Sequence, residues 1–172
     1  MPKLNIKPIR CWQDQGFTLT ELLITVVIAG IFATLALPAL SSYIAGQRIK
    51  NASFDMMAGL TLARSEAIKR NTNTVIAPAS GGWQNGWAVA AGTAGISTQN
   101  PFPGLTIDCW VGGASTACPS NINYANNGRL DPSSPSPFPS FRILGATNTN
   151  SASIRCIMID LSGRPNSKMG SC

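Results

Sequence analysis

Glu21 is the one ionisable side chain between Phe17 and Leu40, in the run FTLTELLITVVIAGIFATLALPAL. An acid in such a stretch either pairs with a cation or reaches back to water. At the centre of a membrane helix a charge costs roughly 2.5–3.5 kcal/mol on insertion scales, which makes a carboxylate there a functional candidate. Only one helical turn separates Glu21 from the start of the run, so snorkelling to the interface is the plain alternative. A second reactive set is the cysteines Cys109, Cys118, Cys156 and Cys172, with Cys11 ahead of the run. A third is the basic group Arg155, Arg164 and Lys168 close to the end of the chain.

What is missing matters as much. The chain has no histidine, so Ser-His and Cys-His dyads and the usual zinc hydrolase sets are excluded. Beyond Glu21 the remaining acids, Asp55, Glu66, Asp108, Asp131 and Asp160, form no paired motif for acid–base work or calcium. No C-x-x-C is present either. The sequence therefore points to no enzyme, with no catalytic residues, no metal and no cofactor.

These residues need elements to hold them. The 24 residues from Phe17 to Leu40 span about 36 Å as a helix at roughly 1.5 Å per residue, enough for a bilayer core of about 30 Å. Lys3, Lys7 and Arg10 against Asp14 precede the run, which leaves the N-terminus cytoplasmic and sends the rest across. A secretory signal should end in a small-x-small site; this run ends Ala36-Leu37-Pro38-Ala39-Leu40, with Leu37 misplaced. A plain anchor explains the length but neither Glu21 nor Gly16 at the polar–apolar boundary.

The apolar pattern continues past Pro38. Ile49, Ala52, Met56, Leu60, Ala63 and Ala67 recur at three- and four-residue steps, one stripe of a helix. The spacing predicts a single helix from about Thr18 to Arg70, bent near Pro38 and again near Gly46. Glu66 and Arg70 stand in the favourable order for a surface pair. The stripe must be buried on something, and the following residues read as a sheet. Short runs at Thr74–Ala77, Trp87–Ala90, Leu105–Val111, Asn121–Tyr124, Phe141–Leu144 and Ser153–Leu161 are separated by Gly, Pro, Ser and Asn. DPSSPSPFP, Asp131–Pro139, reads as an exposed loop. Trp83 and Trp87 read as core aromatics. The class is α+β, a long N-terminal membrane-spanning helix whose second half packs on an antiparallel β-sheet head.

Gly16-Phe17-Thr18-Leu19-Thr20-Glu21-Leu22-Leu23 resembles the class III leader junction of type IV pilins and type II secretion pseudopilins. The resemblance implies cleavage by a membrane peptidase between Gly16 and Phe17, N-methylation of Phe17, and Glu21 as the fifth mature residue. Pro38 matches the family's helix-bending proline. In a filament, the α-amino group on Phe17 of the adjacent subunit is the natural partner for Glu21, and a misregistered subunit would leave a charge buried and unpaired. Ala63-Arg64-Ser65-Glu66-Ala67, Trp83-x-x-Gly86-Trp87 and a last strand running into Gly163-Arg164 resemble the FimT/FimU/GspH group of minor pilins and pseudopilins.

The resemblance implies a pilin fold divided into a cleaved leader over 1–16, an assembly helix over 17–40, its amphipathic continuation over 41–71 and a β-rich head over 72–172. Removal of the leader takes Cys11 away and leaves four cysteines on the translocated side, an even set that reads as two disulfides with three possible pairings. The local pairs Cys109–Cys118 and Cys156–Cys172 are favoured. The implied location is the bacterial inner membrane, single pass with the head periplasmic, followed by a pilus or pseudopilus filament. Implied partners are other pilin or pseudopilin subunits, the prepilin peptidase, the inner-membrane assembly platform, membrane lipid before assembly, and DNA in one reading.

Three functions stay open: a low-copy minor pilin that helps initiate or cap a filament, a DNA-binding competence pilin, and a GspH-type pseudopilin of type II secretion. From Gly46 onward ten Lys/Arg stand against five Asp/Glu, a net of +5, which suits phosphate contacts without base readout. DNA-binding relatives carry a second arginine two residues after the one matching Arg164. Asn166 stands there in this chain.

Overall fold

The computed structural model describes residues 16–145 and 154–172, without the side chains of 35–39. The leader charges, Cys11, Ser153 at the head of the last expected strand, and the side chain of Pro38 lie outside that description. The chain divides after Leu40 into two units. Helix α1 spans Leu19–Arg70. In the first unit its described side chains are exposed throughout, Leu22, Ile24, Val27, Ile31 and Phe32 among them. Among the described residues no helical stretch is long and apolar enough to cross a membrane; the expected span Phe17–Leu40 includes residues 35–39.

In the second unit the helix is amphipathic. Ile49, Ala52, Met56, Leu60, Ala63 and Ala67, the whole stripe, are completely buried. They join a core built from two antiparallel sheets. The four-stranded sheet has the order β3-β2-β1-β6, with β1 Thr74–Pro78, β2 Trp87–Ala91, β3 Ala94–Gln99 and β6 Ile122–Tyr124. The five-stranded sheet runs β5-β4-β7-β8-β9, with β4 Leu105–Val111, β5 Ala114–Thr116, β7 Ser140–Gly145, β8 Arg155–Ile159 and β9 Pro165–Met169. Alternation sets the inward faces, Leu105, Ile107 and Cys109 on β4 and Phe141 and Ile143 on β7. Gly59 lets the helix approach β2: a Cβ there would sit 2.7 Å from Trp87 Nε1.

The cysteines are bonded as Cys109–Cys118 and Cys156–Cys172. The second bond ties the end of the chain to β8 across 16 residues. On loop-entropy grounds it stabilises by about 3 kcal/mol. A Cys156→Ser/Cys172→Ser chain should lose about that much in urea unfolding, and added reductant, which opens Cys109–Cys118 as well, should bring parent and variant to a common, lower midpoint.

Glu66 differs from the expected surface pair. It is buried, with its carboxylate accepting from Arg70 Nε at 2.5 Å and Lys69 Nζ at 3.4 Å. The hydrogen bond from Arg70 holds its pKa below the ordinary 4.5, outweighing the opposing effect of burial. A depressed folded-state pKa gives stability that is present above the unfolded value and lost as pH falls through the folded one. Stability should therefore fall on acidification below about pH 4.5, and a Glu66→Gln chain should show a flatter acid limb in pH-dependent unfolding.

Candidate assembly site and head surface

Gly16, Phe17 and Thr18 lie ahead of the helix, so the Gly16–Phe17 peptide bond is outside any helical hydrogen-bonding ladder, and all three residues are exposed. Thr18 starts α1. Its Oγ1 accepts from the backbone N–H of Glu21 at 3.2 Å, while its carbonyl accepts from Leu22 N–H at 3.2 Å. Thr18-x-x-Glu21 is thus a helix-start signature as well as part of the junction motif, a second meaning for Glu21 that its type and spacing carried. The carboxylate sits in the first turn, where the helix dipole favours an anion. Among the described residues no side-chain partner contacts it. Phe17 and Leu19 beside it are more than three-quarters exposed. This end of the chain presents one acid and a ring of bare apolar side chains.

The three basic residues expected to act together are spread out. Arg155 is opposite Met169, and Lys168 is opposite Cys156. Because neighbours along a strand alternate faces, Arg155 shares the face of Ile157 and Ser167, and Ser167 reaches Ser53 of the helix at 3.1 Å. Lys168 points to the opposite face with Asn166. Arg164 lies in the β8–β9 turn, about 13 Å along the strand from Lys168 at roughly 3.3 Å per residue. The tail itself is strand β9, not a free basic extension. Polar residues and a leading Pro165 hid it, and only pairing with β8 reveals it.

The β8–β9 turn is tightly made. Asp160 Oδ1 accepts from Ser162 Oγ at 2.6 Å and from Arg164 N–H at 2.9 Å, bonds that hold its carboxyl below the usual range. Gly163 is required here. Its φ is +77°, and a Cβ would come within 2.3 Å of the Gly128 carbonyl oxygen and 3.0 Å of the Tyr124 ring. A Gly163→Ala chain should be destabilised by more than about 2 kcal/mol, read as a lowered urea midpoint. The Gly-Arg pair therefore has a structural reason on its glycine side. Close by, Arg64 of the helix donates from Nε to Gly128 O at 3.0 Å. On the outer face of the same sheet Arg142 forms a fork with Asp108, Nε to Oδ1 at 2.8 Å, and lies 4.2 Å from the Trp110 ring centre. The bond to Asp108 raises the Arg142 pKa further.

Residues 52–163 match the family model described as type II transport protein GspH. The chain belongs to the GspH family. A second model, the prokaryotic N-terminal methylation motif, matches residues 13–37 and so covers Gly16, Phe17, Glu21 and the apolar run as far as Leu37. Comparison with curated proteins gave no match. Among solved structures, the type IV minor pilin FimU of Pseudomonas aeruginosa is similar in two crystal forms. One has a TM-score of 0.57 and 22% identity over 71% of this chain and 89% of that one. The other has a TM-score of 0.54 and 23% identity over 69% and 91%. At that identity the likeness speaks for the fold, and the fold of this GspH-family chain is that of a pilin head. The family is one of pilin and pseudopilin subunits, and the methylation motif is that of membrane-anchored members. Trp83 and Trp87, which carried part of the resemblance, are core residues: both are buried, and Trp83 Nε1 donates to Pro119 O at 2.9 Å.

Proposed function

We propose that this chain is a minor pilin, a low-copy filament subunit that helps to initiate or cap assembly and is structural rather than catalytic. The observation that carries the reading is the methylation motif over residues 13–37 standing ahead of a GspH-type head over 52–163. In this account the prepilin peptidase cuts between Gly16 and Phe17 and Phe17 is N-methylated. The apolar helix waits in the inner membrane with the N-terminus cytoplasmic and the head periplasmic. Extraction by the assembly platform then places Glu21 against the α-amino group of the adjacent subunit, and Pro38 bends the helix to fit the bundle.

A second reading, a pseudopilin of type II secretion, is favoured by the description of the matched family as a type II transport protein. DNA capture draws less support, because Arg155 and Lys168 lie on opposite faces of the sheet and Arg164 at the far end of the last strand. Deletion of the gene, scored in parallel for piliation, protein secretion and transformation, separates the three. Loss of surface filaments with secretion intact is the expected result. Loss of secretion alone would transfer the chain to the second reading.

A further inference from the structure

We propose that the head carries a docking groove, at the β8–β9 turn end of the five-stranded sheet, for a segment of a different filament subunit that presents an apolar side chain beside a carboxylate. This rests on the filament reading above and specifies a partner surface for it. An open hollow of about 700 Å³ lies between the residues leading into β7 and the end of β8. A second, of about 470 Å³, continues it across β8 to Pro165 and Asn166, the two sharing Met158, Ile159 and Asp160. The floor is apolar, formed by Pro137, Phe138 and Met158. Phe138 is anchored, its ring 6.5 Å from that of the buried Phe141. Leu161 stands at the rim, 68% exposed.

The rim charges are unbalanced. Arg129 lines the first hollow and Arg164 the second. Both are exposed, and among the described residues neither side chain makes a hydrogen bond or ion pair. Among the described residues Asp160 is the one acid in either lining; its Oδ1 accepts from Ser162 and the Arg164 N–H within its own turn, and its charge offsets part of that of Arg164. Two arginines against one carboxylate leave a net single positive charge, which calls for a carboxylate, and the floor calls for an aliphatic or aromatic side chain. Nucleic acid phosphates would answer the arginines but leave Met158, Leu161 and Phe138 uncovered. A second copy of this chain is a poor fit, since its residues from Gly46 onward carry ten Lys/Arg against five Asp/Glu. A segment of another subunit satisfies both demands.

The test uses the full chain in cells that assemble the filament, with a photo-crosslinking phenylalanine analogue at Leu161 and, as a control, at the exposed Thr98 of the other sheet. Adducts are mapped by mass spectrometry. The expected Leu161 adduct is a different pilin-family subunit, joined at a stretch where Asp or Glu lies within a few residues of an apolar side chain. Arg129→Glu with Arg164→Glu should lower its yield at least about tenfold and leave Thr98 products unchanged; circular dichroism of the double variant checks that it folds. An adduct only to lipid or to a second copy, or one indifferent to the charge reversal, overturns the groove. So does salt-dependent retention of duplex DNA by the purified chain that the double variant loses, with no subunit adduct at Leu161. If the chain is recovered from filaments in these cases, the filament reading survives its groove. If the parent chain is itself absent from filaments, both fail.

Discussion

A Glu21→Ala chain should fractionate with the membrane as the parent does and be depleted from sheared filaments by about a hundredfold. The direction follows from what each environment asks of the carboxylate. It lies in the first turn of α1, exposed, which in the proposed topology is close to where water and headgroups meet the helix. Removing it there loses only a favourable helix-end interaction of roughly 0.3–1 kcal/mol. In the packed bundle the situation reverses. In the assembly proposed above, the α-amino group of the adjacent subunit would enter a low-dielectric environment, and without its acid it would be a buried, unpaired cation. Breaking such a pair costs about 3–5 kcal/mol, and the lower end corresponds to about two decades in an equilibrium constant. Glu21→Gln should be nearly as depleted, since charge rather than size is at stake. Quantitative immunoblotting of membrane and filament fractions checks both. Depletion from the membrane fraction itself would mean that Glu21 acts at insertion.

The second large effect is in the head. Trp83→Ala should destabilise it by about 3–5 kcal/mol, a large share of a typical domain stability of about 5–15 kcal/mol. Trp83 is 1% exposed and links the two sheets: its ring lies 6.3 Å from Trp87 of β2 and edge-on at 5.1 Å from Phe141 of β7. Truncation opens a cavity at that junction and leaves the Pro119 carbonyl without the Nε1–H that it accepts from. Trp83→Phe keeps most of the volume and loses the hydrogen bond, so its cost should be nearer 1–2 kcal/mol. Urea unfolding followed by far-ultraviolet circular dichroism ranks the three chains. A Trp83→Ala chain within about 1 kcal/mol of the parent would show that the two sheets do not share one core.

Legibility followed burial. The stripe from Ile49 to Ala67 was readable because every third or fourth residue had to be apolar to meet the sheets, and β4, running from Leu105 to Val111, alternates for the same reason. β3, β5 and β9 were not readable. They are edge strands made mostly of Ala, Gly, Ser, Thr, Asn, Gln, Lys and a proline, with Ile96 and Met169 the only large apolar residues in them, and they are extended only because a neighbouring strand offers its hydrogen bonds. Glu66 looked like a surface acid because spacing along one helix does not report what packs over it. The N-terminal methylation motif was legible, since it lies within a few consecutive residues, whereas the capping of the helix by Thr18 was passed over. The groove was not legible, since Arg129, Phe138, Met158 and Leu161 come from separate segments that only the fold brings together.

The most direct test of the account is intact and N-terminal mass spectrometry of the chain recovered from the sheared filament fraction. The account predicts a species that begins at N-methylated Phe17, lacks the first 16 residues and carries two disulfides. A chain that keeps its leader, begins elsewhere, or is absent from filaments while abundant in the membrane would contradict it.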